Sequence, residues 1–105
     1  MAEPLTHEAF VKHLGHKFQV QVEPDKAIDL ELTQVSELEQ SPRQEQFAIV
    51  FRGPNQVFLG QGTQQMDNED IGHFDIFLVP ISQDDQGYYY EAVFNRIREQ
   101  ANTAS

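Results

Sequence analysis

Three sets of side chains in this sequence have the types and spacing for chemistry. His13 and His16 stand three residues apart, with His7 just upstream, and two imidazoles at that spacing on one helical face would suit a metal ion. A structural zinc site takes four ligands, however, and Gly15 is expected to end the helix between the two. These histidines are therefore read as solvated surface side chains, with no metal or other cofactor expected. His73, Asp75 and Glu91 are acid–base groups on two neighbouring strands. Proton-transfer catalysis wants such groups desolvated in a pocket. Strand alternation instead sends Asp75 and Glu91 to the solvent side, opposite Phe74, Ile76, Tyr90, Ala92 and Phe94. No catalytic residue is assigned, and the chain is read as a non-enzyme. The segment Asp67-Asn68-Glu69-Asp70-Ile71-Gly72 begins like a calcium loop. Ile71 occupies a ligand position and Leu78 stands where the closing Glu belongs, so it is read as a polar hairpin tip.

Other motifs exclude more than they offer. Gly60 and Gly62 make only a G-x-G, short of a dinucleotide fingerprint, and no P-loop, G-x-S-x-G or H-E-x-x-H occurs. Cysteine is absent, which removes thiol nucleophiles, thiolate metal sites and disulfides. The formal charge of −10 argues against nucleic acid and anionic membranes, because phosphate binding needs clustered Lys and Arg. No Lys or Arg falls between Gly53 and Asn95. What remains is binding. Asp67, Glu69, Asp70, Asp84 and Asp85, with Phe77 and Tyr89, form the candidate interaction surface, suited to a protein partner that is basic or a second copy of the chain. Of Tyr88, Tyr89 and Tyr90, alternation exposes at least one ring, expected beside Phe77 or Val79.

The elements that must position these groups are mostly strands. Two aromatic and β-branched runs, 73–81 and 88–95, are joined by the turn formers of 82–87 and predict a long hairpin. Residues 6–14 predict the one helix, with Thr6 as N-cap, Leu5 stapled onto Phe10, and Phe10, Val11 and Leu14 sharing a face. Residues 17–22 alternate as a half-buried strand, and Pro24-Asp25-Lys26 turns the chain. Ile28, Leu30 and Leu32 follow, with a parity break before Val35 that predicts a β-bulge at Thr33-Gln34. Residues 39–46 read as a loop. Residues 47–52 carry apolar side chains on both faces, which suggests a central strand. A shorter strand is expected at 57–59, another from Thr63, and fraying after Asn95. Consecutive strands with short links predict a mainly β fold: a small antiparallel β-barrel or strongly curved sheet of about six strands, arranged as a meander, with one N-terminal α-helix. Residues 1–98 are expected to form a single β-rich domain and 99–105 a flexible tail.

Several of these segments carry a resemblance. Leu5 to Phe18, Phe47-Ala48-Ile49-Val50-Phe51-Arg52-Gly53-Pro54, Gly62-Thr63, Phe77-Leu78-Val79-Pro80-Ile81 and Tyr90-Glu91-Ala92-Val93-Phe94-Asn95 resemble a family of short bacterial domains with no assigned function. Its marks are F-R-G-P, L-F-L-V-P and Y-E-A-V-F-N; Gln64 departs from the aromatic that often follows Gly-Thr. The resemblance implies a free-standing small β-protein, associated with gene neighbourhoods of phage-tail-collar type, and supplies no catalytic residues. The expected function is a non-catalytic interaction or assembly module, an accessory of a phage-tail-like structure. The alternative is a small barrel holding an apolar molecule among Phe18, Phe47, Phe51, Phe74 and Tyr90. Neither a signal peptide nor an apolar run of membrane-spanning length is seen, and a cytoplasmic location is expected.

Overall fold

The computed structural model describes residues 5–97, and among them are one helix and seven strands. Helix α1 (His7–Lys12) precedes β1 (Lys17–Glu23), β2 (Lys26–Val35), β3 (Glu39–Gln40), β4 (Gln44–Gly53), β5 (Gly62–Asn68), β6 (Gly72–Asp84) and β7 (Gly87–Ile97). Every pairing is antiparallel. Strands β2, β1, β5, β6, β7 and β4 bond in that order, and β4 returns to β2, so six strands close a barrel; β3 lies beside the start of β4. The fold is the mainly β barrel with a leading helix that the residue pattern predicts. It is not a simple meander. Strand β4 sits between β2 and β7, away from β5, so residues 54–61 must cross one end of the barrel.

Local chemistry explains the strand geometry. The β1–β2 hairpin turns on Pro24 and Asp25, with Glu23 opposite Lys26. The bulge expected near Thr33-Gln34 is present: Leu32 pairs with Phe51 but Gln34 with Val50. Thr33 uses the slack to donate its hydroxyl to the Val50 carbonyl at 3.1 Å. A second bulge, at Ile81, separates the pairs Pro80–Tyr90 and Ser82–Tyr89. It falls next to a proline, which has no N–H to give the ladder. Strand β4 bonds to β7 along one edge and to β3 and β2 along the other, the central position expected of it.

Some expectations are corrected. Residues 39–46 are not all loop: Glu39 and Gln40 pair with Gln46 and Glu45, because Ser41 and Gln44 bond to each other and tighten the turn to a hairpin. Residues 57–59 form no strand. The link between β6 and β7 shrinks to Asp85 and Gln86, since Asp84 pairs with Gly87. Asp84 holds this tip by accepting from the Gln86 N–H at 2.7 Å and from the Tyr89 hydroxyl at 3.0 Å. Arg96 and Ile97 belong to β7, paired with Glu45 and Gln44, instead of fraying. The expected tail at 99–105 lies outside the described residues.

The helix is shorter than expected and differently oriented. Thr6 caps it, accepting the Ala9 N–H at 3.1 Å, and Leu5 packs on the core. Ala9, Phe10 and His13 face inward, whereas Val11 and Leu14 are 47% and 49% exposed. Helical geometry ends at Lys12, so Leu14 never joins the face of Phe10. Gly15 does adopt the left-handed conformation predicted for it, at φ 87°. Phe10 enters the barrel mouth. The β6–β7 ladder stops at Val79–Glu91, and beyond that point Phe10 lies against Phe74 of β6 and Phe94 of β7, with ring centroids at 6.5 and 5.4 Å. Phe18 meets Phe51 edge-on at 5.1 Å, and Phe47 stacks on Phe94 at 4.8 Å. At the opposite end Leu59, from the crossing segment, is buried among the core side chains. The barrel interior is filled by the protein's own aromatic and aliphatic side chains.

Candidate functional site

The groups singled out in the sequence fall into three places. At the helix end, His13 is buried, not solvated. Its Nδ1 lies 2.7 Å from the Ala9 carbonyl and its Nε2 lies 3.1 Å from Oδ2 of Asp70. The cause is phase: His13 follows Ala9 by four residues, so once Phe10 anchors the helix both sit over the barrel. His16 is exposed, its ring edge-on to His13 at 5.0 Å. His7 stands apart, bonded to the Ser36 carbonyl at 2.8 Å and edge-on to Phe47. Asn68 builds the turn that delivers Asp70. Its Oδ1 accepts the N–H groups of Asp70 and Ile71 at 2.9 and 3.0 Å, and its Nδ2 donates to the Lys17 carbonyl at 3.1 Å. The segment that begins like a calcium loop is thus an Asx-type turn, with Glu69 and Asp70 exposed at its tip.

The seven residues of the expected interaction surface do not form one patch. Asp67, Glu69 and Asp70 flank the β5–β6 turn, while Asp84, Asp85 and Tyr89 surround the β6–β7 turn. These turns lie at opposite ends of β6, a strand of 13 residues, which at ~3.3 Å per residue puts them ~40 Å apart. Phe77 lies between. Within the first group, Asp67 pairs with exposed His73 at 2.9 Å. Within the second, partial burial and the neighbouring Asp84 carboxylate hold the Tyr89 hydroxyl above the ordinary tyrosine range. Asp75 is exposed opposite Gln65, and Glu91 is half-buried between Val79 and Val50. His73, Asp75 and Glu91 therefore sit at separate positions on the outer wall, facing solvent as alternation predicts for Asp75 and Glu91.

The outer wall sets the expected Phe77 among apolar residues that the sequence reading missed. Phe77 and Val93 are 51% and 57% exposed, two residues beyond the pair Val79–Glu91 on their respective strands. Val79 and Ala48, the β4 partner of Val93, are half-buried on the same face. Together they make an apolar strip across β6, β7 and β4, with Asp75 and Glu91 beside it. Val93 could have been found by carrying alternation outward from buried Ala92. Tyr89 is not part of the strip. Its partners are Ser82 and Arg52, further toward the tip, because Val79 is already matched to Glu91. Tyr88 packs against Phe58 at 5.1 Å, and Tyr90 is fully buried.

A closed antiparallel barrel of six strands, plugged by a short helix and filled with its own apolar side chains, defines the class of protein. The chain belongs to the DUF6916 family, a domain of unknown function, whose model matches residues 5–94. No curated protein and no solved structure matches it. Among the described residues no helix is long and apolar enough to cross a membrane.

Proposed function

We propose that this domain is a non-catalytic interaction or assembly module that docks through the outer wall of β6, β7 and β4. The observation that carries the reading is the apolar strip of Phe77, Val79, Val93 and Ala48 edged by Asp75 and Glu91. Exposed apolar side chains on neighbouring strands gain by being covered, and an acidic edge favours a partner whose own apolar centre is rimmed by Lys or Arg. The motif resemblance supports a narrower version, in which the partner is a component of a phage-tail-like assembly and the encounter takes place in the bacterial cytoplasm. A barrel for an apolar small molecule is the second choice, because Phe18, Phe51 and Tyr90 would have to leave the interior they fill.

The test is affinity capture from native-host lysate at low and high salt, with wild type and Phe77→Ser side by side. A defined partner held by wild type, weakened by salt and lost by the variant supports the module. Identical recoveries from both baits, or none from either, sink it.

A further inference from the structure

We propose that His13, His16 and Asp70 form a binding site for a divalent transition-metal ion, zinc by preference, that clamps α1 onto the turn between β5 and β6. The ligand atoms of these three side chains lie within 4.8 Å of one another. The sequence reading set the histidine pair aside for want of partners; the third ligand arrives from 57 residues along the chain.

A carbonyl oxygen only accepts, so the 2.7 Å contact from Nδ1 of His13 to Ala9 places the ring proton on Nδ1. In the neutral ring Nε2 then carries a lone pair, and it points at a carboxylate oxygen 3.1 Å away. Two acceptors at that distance repel unless a cation joins them. A proton would need only His13 and Asp70. The convergence of His16 is what a metal uses and a proton does not.

The surroundings fit this reading. A backbone carbonyl holding the far nitrogen of a ligating imidazole is the usual outer-shell support of a metal site, and it fixes the tautomer. Ligand atoms around a tetrahedral zinc with bonds of ~2.0–2.1 Å sit ~3.3 Å apart, close to the His13–Asp70 separation. His13 is held by burial and Asp70 by the Asn68 turn, while His16 is exposed with its ring edge-on to that of His13. Two imidazoles and a carboxylate suit zinc, and a water would complete the tetrahedron. The site joins the helix that plugs the barrel to a turn on its rim, so the ion would stabilise the plugged state.

The experiment uses the full chain, stripped with chelator and titrated with Zn²⁺ by calorimetry, and with Co²⁺ by absorption spectroscopy. One ion per chain is expected, with the intense visible bands of tetrahedral cobalt and a Tm that rises with zinc concentration. His16→Ala and Asp70→Asn should each weaken binding at least about tenfold, the lower bound for disturbing even an outer-shell partner. His7→Ala and His73→Gln should leave it unchanged, which separates this site from adventitious surface histidines. His16 is exposed, so its variant folds and its loss of binding reports ligation. Absence of saturable one-to-one binding, or binding that survives both His16→Ala and Asp70→Asn, overturns the proposal.

Discussion

The hydroxyl of Tyr90 accepts the backbone N–H of Leu59 at 3.0 Å inside the protein. Tyr90 belongs to β7 and Leu59 to the segment that crosses the barrel end, so one side chain secures an irregular connection to the core. The bond answers a strict need. A chain that crosses a barrel end without secondary structure carries backbone polar groups into an apolar region, and each wants a partner.

Tyr90→Phe keeps the ring and removes that partner. Leaving the Leu59 N–H buried and unpaired costs about 1–3 kcal/mol. For a domain of this size a loss of 1 kcal/mol lowers Tm by roughly 4–8 °C. Urea titration and thermal melting against wild type check the value, and an unchanged Tm would mean that water replaces the hydroxyl.

Alkaline pH should act on the same contact. Burial raises the Tyr90 hydroxyl above its ordinary 10.0, as partial burial and Asp84 do for Tyr89. For an acid with a raised native value, the unfolded chain gives up its proton first. Stability is therefore full below the ordinary value and falls as pH rises through it toward the native values. Stability measured from neutrality upward should be flat with respect to these tyrosines and then decline, and Tyr90→Phe should decline less steeply.

The helix face gives a paired test. Phe10 is fully buried at the barrel mouth, and Phe10→Ala should cost about 3–5 kcal/mol. Leu14 is half exposed and lies beyond the helix, so Leu14→Ser should stay within about 0.5 kcal/mol of wild type. Equal effects at both positions would restore the face that sequence spacing predicts.

That contrast shows where legibility ended. Period-two alternation made β1, β2 and the β6–β7 hairpin readable, because each has one face in the core, and apolar side chains on both faces marked β4 as central. The bulge at Thr33 was readable as a parity break between Leu32 and Val35. The helix phase was not, since one turn and a half contains too few apolar positions to choose a face, and Phe10 chose it by entering the barrel. The closure of β4 onto β2 left no local trace either. Nor did the convergence of His13 with Asp70, which depends on the turn that Asn68 builds far along the chain. Contacts between distant segments are set by how the barrel closes, and neither composition nor spacing records that.

Gly87 should tolerate no side chain. Its φ is +148°, and a Cβ there would lie 2.0 Å from the Gly53 carbonyl oxygen on the neighbouring strand. Both the backbone conformation and the clash with main chain oppose substitution, so Gly87→Ala should cost on the order of 3 kcal/mol. Gly60 has nothing within 4 Å of the same added atom, and Gly60→Ala should be near neutral. Comparing the two by chemical denaturation separates steric demand from a general effect of removing glycine, which would appear in both.

Asn68 ties the β5–β6 turn to β1 at the barrel rim. Its side chain is buried and makes three hydrogen bonds to backbone: two N–H groups of the turn, at Asp70 and Ile71, and the carbonyl of Lys17 on β1. Asn68→Ala leaves all three groups short of a partner and should cost about 2–3 kcal/mol, a large loss for one polar side chain. Asn68→Asp separates the roles. The carboxylate still accepts from Asp70 and Ile71, so the turn keeps its shape, but it cannot donate to Lys17, and it adds a charge close to Asp70. The Asp variant should therefore fall between wild type and Ala in stability. Because the turn positions Asp70 against His13, the Ala variant should also weaken zinc binding even though it removes no ligand. If Asn68→Ala instead matched wild type in both stability and zinc affinity, the turn would be held by Ile71 packing into the core, and the position of Asp70 would owe nothing to Asn68.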